Sequence, residues 1–61
     1  MEQHYDIKGM ITKIKALKKV AVELKAMSQG MPTIVCNVDR ILTNVRVLEI
    51  NITEAADALK D

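Results

Sequence analysis

The stretch 33-TIVCNVDRILTNVRVLEINITEAADAL-59 decides how this chain folds. Apolar residues fall in it at Ile34, Val38, Ile41, Val45, Leu48, Ile52, Ala55 and Leu59, at gaps of 4, 3, 4, 3, 4, 3 and 4. A repeat averaging 3.5 residues keeps one apolar seam along one side of an α-helix, and a seam of that kind is buried against another helix. The spacing predicts a helix over about 33–60.

Working back toward the N-terminus, Ile7, Met10, Ile14, Leu17, Ala21 and Leu24 recur at gaps of 3, 4, 3, 4 and 3, which predicts a first helix over about 6–28. Asp6 stands where a side chain can cap that helix. Gly9 lies in its first turns and weakens it by about 1 kcal/mol relative to Ala. Met1–Tyr5 has no periodicity and reads as frayed. Residues 29–32 carry the turn signals: Gly30 suits the left-handed residue after a helix, and Pro32 suits the first turn of the next helix or the place before a Thr33 cap. If the chain folds back at Met31, Ile7 meets Ala55, Met10 meets Ile52, Ile14 meets Leu48, Leu17 meets Val45, Ala21 meets Ile41, Leu24 meets Val38 and Ser28 meets Ile34. Large side chains then tend to face small ones, as a packed helical core requires. The expected fold is all-α, one domain over 1–61 forming an antiparallel helical hairpin.

A competing pattern lies in residues 45–53, where Leu48, Ile50 and Ile52 alternate with Glu49 and Asn51 as in a half-buried strand. Thr33–Val38 is also rich in β-branched residues, and Asn51 with Glu54 could open a short last helix. The alternative order is α-β-β-α, with Asp39–Asn44 as the connection. The long helix is preferred because every seam position fits it.

Composition says how such a hairpin must be stabilised. A chain of 61 residues buries only about 60% of the surface its unfolded form exposes, and small domains add disulfides, metals or partners. One cysteine, Cys36, cannot form an internal disulfide, and one His with one Cys is too few for a closed metal site. The single aromatic residue, Tyr5, leaves an aliphatic core. Beside the seams lie Ile11, Val20, Met27, Val35, Leu42, Val47 and Ile50, which a second hairpin would bury. Self-association into a four-helix or larger bundle is therefore expected. The core and interface positions are Leu17, Leu24, Val38, Ile41, Val45, Leu48 and Ile52, with Val35 and Leu42 assigned to association.

Three groups of residues qualify as functional candidates. Asn37, Asn44 and Asn51 recur every seven residues beside the seam; buried amides in such a row set register and oligomeric state, whereas exposed ones are a solvated flank. Lys8, Lys13, Lys15, Lys18, Lys19 and Lys25 make the first helix basic, with Lys15, Lys18 and Lys19 as an outward patch that could meet phosphates. A net charge of +1, without stacking aromatics or an arginine cluster, favours a solvated face over nucleic-acid binding. Cys36 near the start of the second helix could be a reactive thiol, but the preferred reading is a small, at least half-buried apolar residue. His4 has no partner in the sequence pattern.

No glycine-rich phosphate loop and no clustered nucleophile, acid and base appear, so the expected protein is not an enzyme and holds no cofactor. No apolar run reaches the roughly 20 residues needed to cross a bilayer, and the polar N-terminus is unlike a secretory signal. The expectation is a cytoplasmic homo-oligomer acting as a structural, adaptor or regulatory binding module, with a protein partner possible. The alternative is a nucleic-acid-binding protein using the lysines of the first helix.

Overall fold

A computed structural model describes residues 6–60, with side chains as far as Ala58. Two helices account for nearly all of it: α1, Ile7–Met27, and α2, Pro32–Lys60. They lie antiparallel and pack on each other as a hairpin. Met1–Tyr5, His4 among them, and the side chain of the seam residue Leu59 lie outside what is described.

Local chemistry explains both ends of α1. Asp6 caps it, its Oδ1 accepting the Gly9 N–H at 2.9 Å. The carboxylate occupies the space a Cβ on residue 9 would need, so a larger residue there would make the capping side chain shift. At the other end Ser28 is buried; its hydroxyl donates to Leu24 O at 2.6 Å and its N–H to Lys25 O at 3.1 Å. Gly30 then takes φ +93°, the left-handed conformation that ends the helix and turns the chain.

The start of α2 differs from expectation by one residue. Pro32 is its first residue and Thr33 sits inside the first turn instead of capping it. Met31 holds the preceding position, its carbonyl accepting the N–H groups of Ile34 (3.0 Å) and Val35 (3.1 Å). Proline tolerates the first helical position because its missing N–H would have no intrahelical partner there.

The α-β-β-α alternative is not what forms. Residues 33–38 and 45–53 are continuous α-helix. The apparent alternation arises because Leu48 and Ile52 belong to the seam, four residues apart, while Ile50 between them points outward and is exposed. Tertiary packing of the seven-residue repeat overrides the β preference of its Val and Ile residues.

The contact between the helices uses one row from each. Ile14, Ala21 and Ser28 on α1 and Val38, Val45 and Ile52 on α2 are buried, each row stepping by seven. Ile14, Val45 and Ile52 form the centre of the core, with Ile7 and Ile11 packed against it. The other half of each seam is not covered: Leu17, Leu24, Ile41 and Leu48 are 40–51% exposed. On one flank Lys18 lies opposite Glu49 and Lys25 opposite Asp39.

Candidate interaction face

The two edges of the hairpin carry different side chains. Ile11, Lys18 and Lys25 stand on the same edge of α1, four residues beyond the buried row. Val35, Leu42 and Glu49 hold the equivalent edge of α2, again four residues apart from Val38 and Val45 in the repeat. These two edges meet: Lys18 Nζ lies 3.5 Å from Glu49 Oε2, and Lys25 Nζ lies 2.7 Å from Asp39 Oδ1. Val35 and Leu42 are half-buried below them. Two residues assigned to association from sequence thus sit on the flank where the hairpin closes on itself.

Because the helices are antiparallel, their opposite edges also fall together, on the other side. There Met10, Leu17 and Leu24 of α1 lie beside Ile41 and Leu48 of α2, with Val20 and Met27 further out on α1. Met10 and Leu48 line the same groove, of about 400 Å³, whose walls are Ile7, Ile14, Ile52, Ala55 and Ala58 with Asn51 at its rim. Among the described residues, eight of the eleven large apolar side chains that are exposed belong to this face or its turn end, Met31 included; Val22, Val47 and Ile50 lie elsewhere. Seven of them form one band whose exposed surface is on the order of 700 Å², beyond the few hundred Å² that monomers leave in one patch. Val20 at 61% and Met27 at 82% exposure contribute most.

Asn37, Asn44 and Asn51 border this band on α2. All three are exposed, and among the described residues none of their amides takes part in a side-chain hydrogen bond. The hydroxyls of Thr12, Thr43 and Thr53, by contrast, each donate to the carbonyl four residues earlier, 2.8–3.0 Å away.

The remaining candidates are dispersed. Lys15, Lys18 and Lys19 are exposed, and Lys18 is turned to Glu49 instead of outward. Cys36 is exposed, against the expectation of an at least half-buried residue, because it falls two positions before Val38 and so on the side of α2 away from α1. Among the described residues no three of His, Cys, Asp and Glu come together as metal ligands, and no helix is long and apolar enough to cross a membrane.

Reading the seam alone did not separate the row that closes the hairpin from the row left open. A second signal in the sequence does so: Lys18 and Lys25 on one flank of α1 match Glu49 and Asp39 on one flank of α2, and opposite charges mark the edge where two antiparallel helices meet. Compared with protein-family models, with curated proteins and with solved structures, the chain matches none.

Proposed function

We propose that this chain is a self-associating binding module whose unit is a pair of hairpins, the apolar face of each covering that of the other in a four-helix bundle. The single observation that carries the reading is the uncovered band of Leu17, Leu24, Ile41 and Leu48 on one face of the hairpin. A standard protein interface takes about 800 Å² from each partner, close to the area of this band. A second copy is the occupant that matches it best, since the band is as long as the hairpin and carries little charge. The charged side chains beside it near Met10 and Leu48 are Asp6, which caps α1, and Lys13, whose stem can lie along apolar surface with the ammonium in water. The outer surfaces, including the lysines of α1, are then what the assembled bundle presents to other partners, in a structural, adaptor or regulatory role. Engagement of Lys18 and Lys25 in ion pairs supports this reading over a phosphate-binding helix.

The test is sedimentation equilibrium combined with circular dichroism melts at protein concentrations about a hundredfold apart. The native chain is expected to sediment at twice its 6.8 kDa mass or a higher multiple, with a midpoint that rises with concentration because association stabilises the folded chain. Leu48→Asp places a charge in the middle of the band and is expected to abolish both the association and most of the helix signal. A monomeric native chain that melts at one temperature at all concentrations contradicts the proposal.

A further inference from the structure

Two face-to-face arrangements would bury the apolar bands, and they differ in what they bring together at the edges. With both turns at the same end, each α1 lies against the partner's α2. With the turns at opposite ends, α1 lies against the partner's α1 and α2 against the partner's α2, each pair antiparallel about one two-fold axis. This question rests on the reading of the face as a contact between two copies.

The edge rows distinguish the two. On α2 the outer edge of the band is Asn37, Asn44 and Asn51; on α1 it is Lys13, Val20 and Met27. With turns at the same end, Asn44 would face the partner's Val20 and Asn37 the partner's Met27, with only Asn51 beside a polar side chain, Lys13. An amide buried against Val20 or Met27 has no partner for its donor or its acceptor. With turns at opposite ends, Asn44 faces the partner's Asn44 and Asn37 faces the partner's Asn51. A primary amide carries both donor and acceptor and so complements its own copy across a two-fold axis. Val20 then meets the partner's Val20.

Height along the bundle supports the same arrangement. A perpendicular two-fold axis crosses both helices at one level, so the rows on α1 and on α2 must be centred at that level. Leu17 and Leu24 are centred between Val20 and Ala21, and Ile41 and Leu48 between Asn44 and Val45. The two ion pairs give a second view of the levels. Halfway between Asp39 and Glu49 is Asn44, and halfway between Lys18 and Lys25 is the Ala21–Val22 step. The two pairs bracket the centre of the Ile41–Leu48 row, one on each side, so the centres agree to within about two residues, or ~3 Å. We infer that two copies of this hairpin pack with their turns at opposite ends, on a two-fold axis that passes between the two Asn44 side chains and between the two Val20 side chains.

The experiment uses single cysteines in a Cys36→Ser background, Asn44→Cys in one chain and Val20→Cys in another, oxidised with copper phenanthroline after sedimentation has established their mass. Residues facing their own copies across helices 8–10 Å apart can reach disulfide distance. Each variant alone is expected to become mostly disulfide-linked dimer, with helix signal retained. The native chain supplies the control, because Cys36 lies on the outer side of α2 and is expected to stay mostly unlinked. Linkage only when the two variants are mixed would overturn the orientation and leave the bundle standing. Equal linkage through Cys36 would also overturn the orientation, by showing random collision. A monomeric mass before oxidation would overturn the bundle itself, and the orientation with it.

Discussion

Along one edge of the hairpin, Lys18 and Lys25 reach Glu49 and Asp39 over half-buried Ile11, Val35 and Leu42. Along the other edge, Leu17, Leu24, Ile41 and Leu48 lie uncovered, bordered by Val20, Met27 and three asparagines. Both edges descend from the same seven-residue repeat. An apolar stripe made of two rows is wider than the line along which one neighbouring helix touches it, so a lone hairpin covers one row and leaves the other. The charged flank therefore belongs to the folding of one chain, and the amide-bordered flank is the one proposed above for a second copy.

This division predicts a hierarchy of effects. The largest belongs to the row that every form of the molecule buries. Val45→Asp puts a carboxylate where the side chain is 3% exposed with only Ile14, Ile52 and their neighbours around it. Removing that group from water without a partner costs several kcal/mol, on the order of the entire stability of a chain this small. The expected result is loss of helical circular dichroism at every protein concentration. A Val45→Asp chain with the native helix signal would place the buried row wrongly and dissolve the comparison between the edges.

A smaller and more diagnostic effect comes from truncating one leucine on each edge. Leu42 is half-buried on the charged flank and Leu17 is half-exposed on the open face. Leu42→Ala is expected to lower stability by about 1–2 kcal/mol, less than the 2–5 kcal/mol of a fully buried leucine, without changing how the midpoint depends on concentration. Leu17→Ala is expected to weaken association about tenfold or more, as measured by the dissociation constant in sedimentation, because in the proposed bundle its packing partner lies on the other copy. The reverse pattern, with Leu42→Ala dissociating the bundle, would return association to the charged flank where the sequence reading had placed it.

The contrast between these leucines shows what the sequence could carry. The hairpin was legible because periodicity, Gly30 and Pro32 all point the same way. Val38, Val45 and Ile52, which are buried, lie in the predicted seam together with Ile41 and Leu48, which are not. Which half of the seam remains open was not legible from apolar spacing, since Leu17 and Ala21, or Ile41 and Val45, are equivalent members of one stripe. Rotation of each helix about its axis decides between them, and it places Ala21 and Ser28 with Val38 and Val45 in the buried rows. The same rotation turns Cys36 outward and moves Lys18 from an outward patch to Glu49. Gly9 was read only as a weakness because its use depends on a carboxylate three residues away closing over it.

The smallest effect concerns the charges themselves, which mark the closed edge without supplying much of its energy. Lys25 and Asp39 approach to 2.7 Å, yet their side chains remain 40% and 52% exposed. Water and salt screen a pair in that position, and ordering two flexible side chains offsets part of the attraction, so the coupling is expected to be about 0.5 kcal/mol. A double-mutant cycle of Lys25→Ala and Asp39→Ala, followed by thermal melts at low salt and at 1 M salt, measures it directly. The coupling should shrink at high salt while the burial terms of Val45 and Leu42 do not. If the pair instead contributed several kcal/mol that salt left unchanged, the charged edge would be a structural contact equal to the buried row. Orientation of the helices would then be set by electrostatics, and the open face would be what remained after the charges had chosen.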